Sequence, residues 1–170
     1  MGPTWLVGPV NFAEVVCRTA FSFHEGASSP EEIVQQASNL GLRAVAITDR
    51  DGVYALPRAH KAARELGVKI LPGALLTISG GPGLAILAQS LTGWSRLCQL
   101  ITQARSDMQK GWGQVSLEAV CKEPEGLEAV LLGDWQPPEI MATRDAFGDH
   151  VSLALCRSLD SHERERTEKQ

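Results

Sequence analysis

Long apolar runs are missing from this sequence. No stretch reaches the roughly 18 residues that a membrane-crossing helix requires, so no membrane partner is expected. An excess of basic charge is missing too. The chain's 16 Lys and Arg stand against 20 Asp and Glu, a net charge of −4. That balance gives no electrostatic footprint for nucleic acid, and any DNA contact is expected only indirectly, through a local patch or a partner. The start, MGPTWLVGPVNF, lacks the basic opening and long apolar core of a signal peptide, which makes the cytoplasm the expected location. Paired cysteines are absent as well. Cys17, Cys98, Cys121 and Cys156 form no C-x-x-C motif, and their gaps fit no zinc module. Reduced, mostly buried thiols are the expectation.

What is present is the composition of an ordinary globular chain, 44% hydrophobic and 21% charged over 170 residues. Residues 12–17, FAEVVC, read as a first strand. The loop FSFHEGASS leads to Ser29-Pro30-Glu31-Glu32, where Ser29 caps, Pro30 fits the first helical position and Glu32 completes a capping box. Ile33, Val34, Ala37 and Leu40 share one face of that helix, and Gly41 ends it. RAVAITD at 43–49 reads as a buried strand. A helix over 55–66 follows, with Ala59, Ala62, Ala63 and Leu66 inward and Gly67 as its stop. VKIL at 68–71 is the next strand, interrupted by Pro72-Gly73, and ALLTIS at 74–79 continues it.

The glycine-rich turn at 80–83 is followed by no Lys at P-loop spacing, so it reads as a hairpin connection rather than a phosphate cradle. LAILAQ at 84–89 returns. Thr92 is read as the cap of a helix to Arg105, with Trp94, Leu97, Cys98 and Ile101 inward. A loop at 106–114, a short helix capped by Ser116, a strand at 127–132, a helix at 137–147 and a strand at 151–159 complete the order. Alternating strands and helices predict an α/β fold with a mainly parallel sheet. A full barrel of this kind needs roughly 200 residues or more, so an incomplete one is expected. The expected boundaries are a truncated domain over 1–160 and a polar tail, 161–170.

Three features in residues 17–78 then stand out together: the F-S-x-x-x-G-A-S loop, the I-T-D-x-x-G-x-Y junction and the L-x-G-A after the third strand. With LAILAQSLTGWSRLCQLITQAR and FGDHVSLALCRSLD, they resemble the PHP (polymerase and histidinol phosphatase) domain that begins bacterial error-prone DNA polymerase III α subunits. The resemblance spans about residues 12–160 and implies an irregular, TIM-like β/α barrel. It also implies divalent metals, Zn or Mn, held at the strand ends by clustered imidazoles and carboxylates that serve phosphoester hydrolysis.

Set against the motifs of that family, the ligand positions are degenerate. The His-x-His falls on Val16-Cys17-Arg18, the Asp-His on Asp49-Arg50 and a Glu on Leu75, while Cys156 and Ser158 fall on later polar or His positions. Strand alternation would turn Val16 and Arg18 inward and Cys17 outward. His24, His60, His150 and His162 match no ligand position, and solvated or partly packed imidazoles are expected. One carboxylate cannot hold a metal cluster. Two guanidiniums nearby would repel cations, by about 4 kcal/mol for unit charges about 4 Å apart at an effective dielectric near 20. No metal or other cofactor is therefore expected. An ion pair of Asp49 with Arg18 or Arg50 is expected in its place.

The resemblance implies a non-catalytic structural module whose partner is the remainder of a polymerase α subunit or replisome-type protein, in replication and damage-induced translesion synthesis. Two other readings remain open at this point: a metal-dependent phosphoesterase or 3′–5′ exonuclease, and a stand-alone interaction protein. Enzyme activity of the chain by itself is left undecided.

Overall fold

Ser29-Pro30-Glu31-Glu32 forms the helix start that its chemistry dictates. Glu32 N–H donates to Ser29 Oγ at 3.3 Å, and Ser29 N–H donates to the Glu32 carboxylate at 2.7 Å. This closed capping box opens helix α1, Pro30–Asn39. The computed structural model describes residues 10–106 and 113–154. The chain divides into two units, one ending at Ala74 and the other beginning at Leu75.

In the first unit, strands β1 (Val10–Glu14), β2 (Leu42–Ile47) and β3 (Lys69–Thr77, which runs on into the second unit) pair in parallel and in chain order. Helix α1 connects β1 to β2, and α2 (Leu56–Leu66) connects β2 to β3. This is the crossover wiring of a parallel sheet. β2 is nearly all apolar and is buried from Ala44 to Ile47, as expected for a strand covered on both faces. Helices α1 and α2 pack on each other. Val34 and Ala37 on α1, and Ala59 and Ala63 on α2, are buried, and the small alanines let the helices approach closely. Gly67 ends α2 in the left-handed region at φ 70°, which glycine enters at little cost.

The second unit contains β4 (Gly83–Ala88), α3 (Leu91–Ser106), α4 (Leu117–Cys121), β5 (Leu127–Leu132), α5 (Pro137–Phe147) and β6 (Val151–Ala154). β4 and β5 pair antiparallel, and β5 and β6 pair parallel. The core here is wholly aliphatic at its centre: Leu75, Leu84, Ile86, Leu97, Leu100 and Leu131 are at most 1% exposed. The expected α/β class with mainly parallel pairing stands.

Several local expectations need correction. β1 ends at Glu14, not at residue 17. Val16, Cys17 and Arg18 therefore lie past the strand, and alternation does not assign their faces. Pro72-Gly73 does not interrupt β3. Pro72 is the last β3 residue in the register with β2, opposite Ile47, so its missing N–H falls where that ladder stops. Leu40 and Leu66 end their helices exposed rather than inward.

Helix α3 is capped by Ser90, whose Oγ accepts from Gly93 N–H at 3.1 Å, and Thr92 lies inside the helix. Its buried face is Gly93, Leu97, Leu100 and Ala104 instead of Trp94, Leu97, Cys98 and Ile101. The rotation has a steric cause: Gly93 abuts the backbone carbonyl of Gly126 so closely that any Cβ would overlap it. The expected strand residues 155–159, Cys156, Ser158, His162, part of the 106–114 loop and the 161–170 tail lie outside the described residues.

Candidate functional site, a buried carboxylate at the end of the second strand

β2 delivers Thr48 and Asp49 to the place where the chain leaves the sheet. Both are buried, Asp49 with 1% of its surface exposed. Thr48 stitches this point to the segment after β1: its N–H donates to Cys17 O at 2.8 Å, and its Oγ1 accepts from Cys17 N–H at 3.0 Å. That stitch sets Thr19 beside Asp49. Thr19 N–H donates to Asp49 Oδ1 at 2.8 Å, and Thr19 Oγ1 donates to Oδ2 at 2.8 Å. Ser22 Oγ donates to Oδ1 at 2.7 Å and accepts from Arg50 N–H at 3.0 Å. A buried ionised carboxylate is costly unless hydrogen-bonded, and here three short bonds from the neighbouring segment supply the compensation.

The loop that brings Ser22 into place is tightly wound. Ser22 N–H donates to Thr19 O at 2.9 Å, Glu25 and Gly26 N–H both donate to Ser22 O at 3.0 Å, and Ala20 N–H donates to Ser28 O at 2.8 Å. Gly26 has to be glycine, since a Cβ would run into the backbone carbonyls of Thr19 and Arg18. Two residues before it, His24 sits at φ 64°, an uncommon conformation for a residue with a side chain. Phe21 lies under Arg58, whose guanidinium carbon is 5.9 Å from the ring centroid. Arg58 also pairs with Glu31 of α1 at 2.7 Å.

Both arginines of the expected ion pair lie against a further carboxylate, Glu25. Arg18 Nη1 lies 3.0 Å from Glu25 Oε2, and Arg50 Nε lies 2.6 Å from Glu25 Oε1. Glu25 thus bridges the two arginines, while Thr19 and Ser22 supply hydrogen bonds to Asp49. The physical reason is the early end of β1. Past it, the chain turns Thr19 toward the strand end and leaves Arg18 about one-third exposed, beside the loop that carries Glu25.

The other sequence-derived positions separate from this centre. Val16 is half-buried, and its N–H donates to Glu14 Oε1 at 3.2 Å. Cys17 is half-buried. Loss of solvent around it, with the charges of Glu14 and Asp49, pushes its thiol above the usual range and keeps it protonated at neutral pH. Leu75 is a core residue of the second unit, so close to Gly83 that a Cβ there would come within 2.9 Å of Leu75 Cδ1. His24 and His60 are exposed, and His150, also exposed, lies 3.2 Å from the Glu128 carboxylate.

Thr19, Thr48, Ser22 and Glu25 were not assigned a role by sequence reasoning. Ser22 was visible only as a letter of the F-S-x-x-x-G-A-S string, and Glu25 only as one of its unspecified positions. Among the described residues, no group of three or more His, Cys, Asp or Glu side chains is placed to hold a metal ion. Asp49 presents both oxygens to protein donors, and the residues following it and preceding Thr19 are arginines. This donor set does not fit the clustered divalent metals of the resembled family.

The model of the PHP domain family matches residues 14–158. Error-prone DNA polymerase of Alkalilimnicola ehrlichii is 38% identical over 167 residues, covering 92% of this chain and 16% of its own length. Error-prone DNA polymerase of Pseudomonas aeruginosa is 40% identical over 152 residues, covering 89% of this chain and 15% of its own length. The chain thus spans about one-sixth of the length of these curated relatives. Among solved structures, a protein of Bifidobacterium adolescentis assigned as a metal-dependent phosphoesterase matches with a TM-score of 0.67 at 18% identity, covering 93% of this chain and 82% of that one. An amidohydrolase of Chromobacterium violaceum, with bound sulfate and no metal, matches with a TM-score of 0.57 at 16% identity, covering 82% of this chain and 75% of that one. These likenesses agree with the incomplete α/β barrel expected from the order of elements, and the chain belongs to the PHP domain family.

Proposed function

We propose that this chain is the PHP module of an error-prone DNA polymerase and that it serves as a structural scaffold rather than as a phosphoesterase. Its partner in this reading is the remainder of the polymerase, through which it meets DNA indirectly. The setting is replication across damaged templates, in the cytoplasm. The domain boundary at residue 160 and the polar tail after it belong to the same proposal.

The observation that carries the loss of catalysis is the state of Asp49. It is the one acidic residue left at the matched ligand positions Val16, Arg18, Asp49, Arg50, Leu75 and Cys156. Its two oxygens already accept three hydrogen bonds from Thr19 and Ser22. A metal ion would have to displace these donors, beside two permanently charged guanidiniums. The polymerase context is supported by relatives of that name at 38–40% identity.

Titration of the purified chain with Mn²⁺ or Zn²⁺ is expected to show no stoichiometric binding and no rise in melting temperature. Nitrophenyl phosphate with added Mn²⁺ is expected to remain uncleaved. Tight one-to-one binding that stabilises the fold, or turnover abolished by Asp49→Asn, would overturn the scaffold reading. The polymerase half of the proposal is tested separately by the reading frame beyond residue 170. It is expected to continue into a polymerase, and an immediate stop would refute it.

A further inference from the structure

Helix α2 buries Leu56, Ala59 and Ala63 and packs on α1. Pro57, His60, Lys61, Arg64 and Glu65 are exposed and recur at helical spacing, so they share its other side. Together they line an open recess of about 380 Å³. Among the described residues, the side chains of His60, Lys61 and Arg64 make no hydrogen bond and no ion pair. Glu31 of α1, whose carboxyl feels the charge of Lys61, is already held by Arg58 through two bonds of 2.7 and 2.9 Å.

The helix dipole favours a cation in the last turn, which accounts for Arg64. It does not account for His60 and Lys61, which precede that turn. Lys61 and Arg64 against Glu65 leave one net positive charge while His60 is neutral. The chain as a whole carries −4. This side of α2 therefore reverses the sign of the chain locally.

We infer that this side of α2 is a docking surface for an extended acidic polypeptide segment. Lys61 and Arg64 are three positions apart, which sets their Cβ atoms about 5–6 Å from each other. Carboxylates at alternate positions of an extended segment stand about 6.5 Å apart on one face, a match for that pair. Pro57 supplies an apolar rim for the aliphatic parts of the segment, and Glu65 accepts from its backbone N–H groups. A nucleic acid fits less well. Its phosphodiester backbone offers Glu65 no donor, and its tight binding draws on about 6–10 phosphate contacts, more than this pair of cations provides. The surface depends neither on the Asp49 network nor on the polymerase reading.

The test uses the full chain and a labelled hexapeptide of alternating Glu and Ala, followed by fluorescence anisotropy and by the backbone amide signals of α2. The amides of His60, Lys61 and Arg64 are expected to shift with this peptide and not with its counterpart of alternating Lys and Ala. The double change Lys61→Glu and Arg64→Glu keeps good helix formers in place. It is expected to weaken binding of the acidic peptide about tenfold and to transfer binding to the basic one. A thymidine hexanucleotide is expected to bind the unaltered chain more weakly than the acidic peptide does. Amides of α2 that ignore the acidic peptide overturn the proposal, as does a folded double variant that binds it undiminished. Tighter binding of the oligonucleotide through the same residues also overturns it and assigns the surface to nucleic acid. The amide readout needs no substitution, so it decides the question even if the variant fails to fold.

Discussion

The two units solve the end of a strand in opposite ways. In the first, β2 runs out into Thr48 and Asp49, and the buried polar residues Thr19, Ser22, Thr48, Asp49 and Asp51 gather in this unit. In the second, the matched position on β3 is Leu75, in an aliphatic core. Thr143 is the one buried polar side chain there among the described residues, and its hydroxyl donates to its own helix at Glu139 O. A buried carboxylate survives where a neighbouring segment brings donors to it, and apolar side chains take over where none does. Polarity in the core follows the supply of partners, not the ancestry of the position.

The sharpest way to break that comparison is to restore an acid where donors are missing. Leu75→Glu is expected to cost about 3–5 kcal/mol, the scale of an uncompensated buried charge, and to leave little folded protein in a chemical denaturation series. A stable Leu75→Glu variant would show hidden donors and sink the contrast. The converse change, Asp49→Ala, strands the Thr19 and Ser22 donors and is expected to cost about 2–3 kcal/mol. Asn at the same place keeps one acceptor and is expected to recover part of the loss. Smaller again is Ser29→Ala. It opens the capping box of α1 and is expected to lower stability by about 1 kcal/mol without altering the Asp49 network.

The smallest effect concerns acid. The bond from Arg58 holds Glu31 below the usual carboxylate range, and the Ser29 backbone and hydroxyl do the same for Glu32. Both groups are exposed. A carboxylate whose folded-state pKa is depressed contributes stability that is present above its unfolded value and lost as pH falls through the lower, folded one. Stability is therefore expected to be level near neutrality and to decline only as pH drops below the ordinary Glu value. Glu31→Gln is expected to make that decline slightly shallower, measured as the urea midpoint across the acid range.

What could be read in the sequence was local. The capping box, the glycine stops at Gly41 and Gly67, and the apolar β2 each depend on residues within a few positions, and all are found. What could not be read depended on pairing across the sheet. Thr19 and Ser22 lie 30 and 27 residues before Asp49. Their meeting requires β1 to stop at Glu14, which no nearby residue signals. Glu25 as a partner of the arginines was hidden for the same reason: it reaches both only after the loop has wound back on Ser22. On α3 the cap was misplaced by two residues because Ser90 and Thr92 carry the same chemistry. The inward face was misread because the decisive approach of Gly93 to Gly126 concerns an atom that glycine lacks.

The way the 20–28 loop is held has a practical meaning for engineering. Most of its turn bonds are its own, but Ser22 also leans on the Thr19 carbonyl, and the attachment to β2 runs through the Asp49 carboxylate and the amide and guanidinium of Arg50, which belong to another strand's exit. Residues 20–28 transplanted onto a different host would leave those anchors behind and unwind. A graft that carries β2 through Arg50 along with the loop would take the geometry with it.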